Sequence, residues 1–235
     1  MTKIRPFSFT CPNCGQTITS SSQPAQKDGM VSDRTTYLDG TLIKPSTADT
    51  LIFCQACRYT DTAVRKKIPD SLKQLIKSPE YQRIFSSLDS NDLSMLIAAE
   101  TVCENESRLN DQLMLQKALW HHLPESPLKH DYAAKYLRTF DRFAADPDSE
   151  FTPEEMLEHA EFLRCLGRFE EAAAFLQETD TSVDELGYFD VPADGSQKGF
   201  EKQIQDEYQE YQKKFSLIKQ LIDEESSEPY IAAGN

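Results

Sequence analysis

Apolar positions along the chain fall into two rhythms. Beyond residue 68 they recur every three or four residues, the spacing of a helix face; before it they come in short β-favouring runs broken by Ser, Thr and Pro. Ser78-Pro79-Glu80 supplies a cap, a first-turn proline and a first-turn acid ahead of Tyr81 to Leu88, and Ser90 caps a helix carrying Leu93, Leu96 and Ile97. Leu115, Leu119 and Leu123 step by four beside Trp120, and Tyr132, Tyr136, Phe140 and Phe143 continue the pattern. Thr152-Pro153-Glu154-Glu155 has the form of a capping box; its helix ends at Gly167, and another begins within three residues. Phe200, Ile204, Tyr208, Tyr211, Phe215, Ile218 and Ile222 mark one side of a long helix. These aromatic stripes, with Trp120, read as core, and Cys103 and Cys165 as buried thiols acting as small hydrophobes.

The first part is organised around two CxxC pairs, Cys11-Pro12-Asn13-Cys14-Gly15 and Cys54-Gln55-Ala56-Cys57-Arg58. β-favouring arms flank both: Phe7 to Thr10 and Gln16 to Thr19 around the first, Thr50 to Phe53 and Tyr59-Thr60 around the second. Each CxxC turn aims two thiolates at one point, so four cysteines make a tetrahedral site, and the expected ion is Zn²⁺ held by Cys11, Cys14, Cys54 and Cys57. A rubredoxin-like iron site also uses two such pairs, but its second knuckle repeats CPxCG and this one reads CQACR. A disulfide pair suits another compartment, and a thioredoxin-type dithiol needs a CxxC at a helix start. Gly15 follows the first knuckle where positive φ is needed; Arg58 holds the same place in the second, accepting strain and bringing positive charge toward the thiolates. Thr36 to Ile43, with Asp39-Gly40 at its centre, reads as a hairpin.

Composition supports folding: 235 residues, 39% of them hydrophobic, carry a formal charge of −14. No apolar run reaches the roughly 18 to 20 residues of a membrane helix, and the start lacks the apolar core of a signal peptide, so a cytoplasmic protein is expected. Residues 1–67 hold nine basic and five acidic side chains, against 16 and 34 in the remainder. Texture and charge both change near Ile68 and Pro69. The expected organisation is therefore α+β: a small β zinc ribbon over 1–67, a mostly helical domain over 68–225, and a flexible tail over 226–235.

Within the helical part, Ala160, Leu163, Gly167, Phe169, Ala172, Phe175 and Leu176 have the spacing of one tetratricopeptide unit, with small residues where two helices approach and glycine at the turn. Thus the helical domain reads as tetratricopeptide-like, with its hairpin at 153–177. The motifs CPNCG, FCQACRYTD and AEFLRCLGRFEEAAAFL together resemble an uncharacterised bacterial family that joins an N-terminal zinc ribbon to tetratricopeptide-like helices. That resemblance implies a fold and zinc ligation on the four cysteines, and no activity.

No GxGxxG, GxxxxGK[ST] or GxSxG motif is present, His121, His122, His130 and His159 form no metal-binding pair, and a four-thiolate site has no open position for substrate. The expectation is a non-enzymatic protein–protein interaction module. Its partner surface is placed on Glu158, Glu161, Arg164 and Arg168, and the acidic balance favours a basic protein segment as ligand. The alternative is nucleic-acid binding by the ribbon through Lys3, Arg5, Arg58, Arg65, Lys66 and Lys67, with Phe7, Phe9 or Tyr59 to stack; the acidic remainder opposes it.

Overall fold

The computed structural model describes residues 7–20, 36–37, 51–88, 90–123, 126–147, 149, 151–186, 189, 201–227 and 231–232. In chain order the strands are β1 (Phe7–Thr10), β2 (Thr17–Ser20), β3 (Thr36–Tyr37), β4 (Ile52–Phe53), β5 (Thr60–Asp61) and β6 (Ile231–Ala232). The helices are α1 (Asp70–Lys77), α2 (Pro79–Ile84), α3 (Asn91–Asn105), α4 (Leu109–His122), α5 (Pro127–Ala144), α6 (Pro153–Cys165), α7 (Phe169–Leu186) and α8 (Glu201–Asp223). The chain forms two compact units. One comprises Met1–Ser32 with Ile43–Phe143, the other Asp33–Leu42 with Ala144–Asn235. No helix among the described residues is long and apolar enough to cross a membrane.

In the first unit, β1 pairs antiparallel with β2, and β4 with β5. The division expected between residues 67 and 68 falls inside this unit, because the ribbon and the helices share a core. Cys11, Ile18, Ile52, Cys54 and Tyr59 pack in one cluster with Ile68, Leu72, Ile76, Tyr81, Ala98 and Val102. Strands of two to four residues bury too little apolar area to stand alone, so they borrow it from α1, α2 and α3. α3 serves two cores at once: Ala98 and Val102 face the ribbon cluster, while Met95, Leu96, Ala99 and Cys103 join Leu115, Leu119 and Leu123 of the α4 side. An apolar sequence around most of a helix's circumference is what burial on two sides requires. Cys103 and Trp120 are buried as expected.

In the second unit, α6 and α7 pack as a hairpin, and α8 packs against both. Thr152 and Glu155 form the expected capping box. Gly167, at φ +72°, closes α6 with a Schellman turn: its N–H donates to the Arg164 carbonyl at 2.8 Å, and the Arg168 N–H to that of Leu163 at 2.9 Å. Tyr211, Ile218 and Ile222 of α8 are buried as expected, and Phe215 is half-buried. Tyr208 departs from the expected core stripe, standing 39% exposed at the less covered end of the helix. The tail expected over 226–235 contains β6, which pairs antiparallel with β3. Residues Thr36 and Tyr37 thus pair with the far end of the chain; the rest of the hairpin expected there, including Asp39-Gly40, lies outside the described residues.

His159 of α6 is buried, 6% exposed, with its ring 4.4 Å from that of Phe175. Burial, aided by the positive charge of Arg168, lowers its pKa from 6.5 to about 4. The folded state therefore holds a neutral imidazole that the unfolded chain would protonate first. Its contribution to stability is complete above pH 6.5 and is lost as the pH falls through about 4, amounting to about 3 kcal/mol across that window. Unfolding of the second unit followed from pH 7 to pH 4 should show this slope, and His159→Phe should flatten it. Equal slopes in the two proteins would show that the histidine does not control it.

Candidate metal centre

Two turns of one design bring the four cysteines together. In the first, the Cys11 N–H donates to the Gln16 carbonyl at 2.7 Å and the Gly15 N–H to the Cys11 carbonyl at 3.0 Å. In the second, the Cys54 N–H donates to the Tyr59 carbonyl at 2.9 Å and the Arg58 N–H to the Cys54 carbonyl at 2.6 Å. The four Sγ atoms all lie within 4.8 Å of one another. Cys11 Sγ is 3.7 Å from Cys57 Sγ, and Cys14 Sγ is 3.6 Å from Cys54 Sγ. Bonds of about 2.3 Å from sulfur to a tetrahedral ion put the sulfurs about 3.8 Å apart, so the arrangement fits a four-coordinate cation with no further position for water or substrate. The sulfurs are too far apart to be disulfide-bonded, and all six cysteines are thiols.

Burial pushes the Cys11 and Cys57 thiols up, against the pull of nearby N–H groups. For Cys14 burial acts in the same direction, but the Gln16 N–H and the neighbouring thiols outweigh it and the pKa is lowered. A cation entering the site must displace protons, so its affinity weakens as the solution becomes more acidic.

Gly15 has φ +77° and Arg58 φ +63°, the same backbone conformation at matching places in the two knuckles. Nothing lies within 4 Å of where a Cβ on Gly15 would sit, so conformation and not space calls for glycine there. At Arg58 the left-handed conformation costs on the order of 1 kcal/mol, and the side chain offsets it. Its guanidinium donates to the Gln82 carbonyl at 3.0 Å and lies 5.4 Å from the Phe85 ring centroid. Its carbonyl accepts from Tyr81 Oη at 3.0 Å and Thr60 Oγ1 at 3.1 Å, while Gln82 Nε2 donates to the Ile76 carbonyl at 2.6 Å and the Cys57 carbonyl at 3.4 Å. The second knuckle is thereby fastened to α2.

A second fastening follows directly in sequence. Asp61 is fully buried and accepts from Tyr59 Oη at 2.5 Å, the Thr62 N–H at 2.7 Å, Arg108 at 2.6 Å and Arg65 at 3.1 Å. Arg65 also pairs with Glu106 through both terminal nitrogens, at 2.7 and 2.5 Å, and Arg108 with Asp111 at 2.7 Å. Burial, together with the hydrogen bond and charge of Asp61, pushes the Tyr59 phenol far up, so it stays a donor at any ordinary pH. Gln82 and Arg108 lie outside the cysteine motifs, and Asp61 closes the motif FCQACRYTD without a role there that the spacing reveals. The one sequence signal for Arg108 is Ser107-Arg108, which repeats the Gly167-Arg168 turn: Ser107 has φ +56°, and the Arg108 N–H donates to the Cys103 carbonyl at 3.0 Å.

The residues expected to bind a partner are placed differently. Glu158, Glu161 and Arg164 are buried, at 7%, 6% and 0% exposure, on α6, which packs against both α7 and α8. Arg164 donates to Glu161 at 2.8 and 2.6 Å and to the Ser226 carbonyl in the turn after α8. Only Arg168 is exposed, and it pairs with Glu171 at 2.8 Å. Of the residues assigned to nucleic-acid contact, Arg58 and Arg65 are engaged as above, Tyr59 is buried, and Lys66 and Lys67 are exposed. Lys3 and Arg5 lie outside the described residues, as does the side chain of Phe7. No protein-family model, curated protein or solved structure matches the chain.

Proposed function

We propose that the protein is a non-enzymatic, cytoplasmic adaptor: a structural Zn²⁺ bound by Cys11, Cys14, Cys54 and Cys57 stabilises one unit, and the acidic unit recruits a basic protein segment. The observation that carries this reading is the set of four cysteine sulfurs within 4.8 Å of one another, with Cys11 and Cys54 in the core shared by ribbon and helices, an arrangement that suits a structural ion. Charge supports the partner class. The first unit holds 17 basic and 14 acidic residues, whereas the second holds eight basic and 25 acidic. Two helical hairpins closed by the same left-handed turn, at Ser107 and at Gly167, support the tetratricopeptide-like reading.

With Glu158, Glu161 and Arg164 buried, recognition falls to exposed acids such as Glu170 and Glu171 on α7 and Asp206, Glu207 and Glu210 on α8. Elemental analysis should give one zinc per chain. A basic partner crosslinked to the wild type should be lost from a Glu207→Lys, Glu210→Lys variant whose helical dichroism is unchanged. Retention of the same partner would remove the surface assignment. Submicromolar nucleic-acid binding at physiological salt, lost on Lys66→Glu with Lys67→Glu, would replace the adaptor reading by the nucleic-acid one.

A further inference from the structure

The two knuckles differ in what surrounds them. Cys54 is 2% exposed, and its turn is held to α2 through Arg58, Tyr81 and Gln82. Cys11 is equally buried, yet the rest of the first turn faces solvent: Cys14, Gly15 and Gln16 are all exposed. Cys57 is half-buried, and the two cysteines outside the cluster, Cys103 and Cys165, are 0% and 6% exposed. Of the six cysteines Cys14 alone is an exposed residue, and it is a member of the candidate metal-binding set. The Cys14 sulfur lies 3.6 Å from that of Cys54 on the opposite knuckle, whereas a disulfide bond is about 2.05 Å long. Closing that gap requires the exposed turn to shift by about 1.5 Å toward the anchored one.

We propose that Cys14 is an oxidation site through which a hydroperoxide discharges the metal centre, leaving a Cys14–Cys54 disulfide. The inference rests on the thiolate-bound metal proposed above. In the first step a sulfur electron pair of Cys14 attacks one peroxide oxygen. The O–O bond breaks, a sulfenic acid forms, and hydroxide leaves and is protonated to water. In the second, the Cys54 thiolate attacks the Cys14 sulfur; an S–S bond forms and a second hydroxide leaves as water. Two thiolates have lost two electrons, hydrogen peroxide has become two waters with two protons from solvent, and the cation is left with two thiolates that cannot hold it. Because Cys11 and Cys54 belong to the cluster that includes Leu72, Tyr81 and Val102, discharge loosens the helices of the first unit as well as the ribbon.

The test uses the full-length, metal-loaded protein treated with hydrogen peroxide. A chromophoric chelator reports released ion, and differential alkylation with peptide mapping reports which cysteines have reacted. The expected result is oxidation of Cys14 before any other cysteine, followed by a Cys14–Cys54 linkage appearing in step with metal release, all reversed by a dithiol reductant plus metal. Cys14→His keeps four ligands while removing the exposed sulfur, and should slow release about tenfold or more. The mapping on wild-type protein stands even if that variant fails to fold. Equal reaction of all four ligands, a Cys11–Cys14 linkage, or metal release without Cys14 oxidation would overturn the assignment while leaving the metal reading intact. Purified protein that holds no metal would overturn both.

Discussion

Replacing Cys54 with Ser should unfold the first unit and leave the second folded. Structural zinc contributes an apparent 10 to 16 kcal/mol in finger peptides near neutral pH, as much as or more than the roughly 5 to 15 kcal/mol by which a whole domain is usually stable. Here the loss cannot stop at the strands. Cys54 packs in the same cluster as Ile68, Leu72, Ile76, Tyr81, Ala98 and Val102, so opening the knuckle exposes the inner faces of α1, α2 and α3. Hydrogen exchange should show protection lost across residues 51–123 and kept in α6 and α7, which have their own buried residues in Leu157, Ala160, Phe162, Leu163, Ala172 and Leu176. A metal-free variant that keeps full protection over α3 would refute the shared-core account.

The second large effect is expected at Asp61. Asp61→Asn keeps the shape of the side chain but removes the buried charge that faces Arg108 and Arg65, whose side chains are each 21% exposed. Removing one partner of a buried ion pair generally costs about 3 to 5 kcal/mol. Glu106 and Asp111 still serve the two arginines, which puts the expected loss near about 3 kcal/mol in the unfolding of the first unit. The exposed pair Lys73–Asp70 is the control, and Asp70→Asn should leave the midpoint unmoved. Arg108→Met in combination with Asp61→Asn completes a cycle that separates the pair's coupling from the penalty of stranding one charge. A loss from Asp61→Asn no larger than that of the control would show that the cluster is decorative.

What the sequence made legible was local. The CxxC spacing located all four sulfurs, the Gly15 conformation followed from its place after a knuckle, and Thr152 with Glu155 announced a helix start that folds as expected. Such features depend on a few neighbouring residues and on bond geometry. The misplacements are non-local. Glu158, Glu161 and Arg164 look like a solvated helix face until the later helices pack on α6, and the charged ladder of an amphipathic helix carries no mark of that cover. Likewise Arg65, one of three consecutive basic residues, gives no hint that its partners are Asp61 and Glu106. The expected boundary near residue 68 followed a real change in composition, but composition reports secondary structure, and the core is shared across it.

The strand pairing of Thr36–Tyr37 with Ile231–Ala232 sets an order of events on the ribosome. The two segments lie about 195 residues apart, and at roughly 5 to 20 residues per second the first waits about 10 to 40 s for the second to be made. The partners Cys11 and Cys57 are 46 residues apart, so their knuckles can meet, and capture an ion, within the first several seconds. The stitch at Ile231 can be made only after that residue emerges, so a chain cut short just after α8 keeps every residue of its first unit and leaves Thr36–Tyr37 without their strand partner.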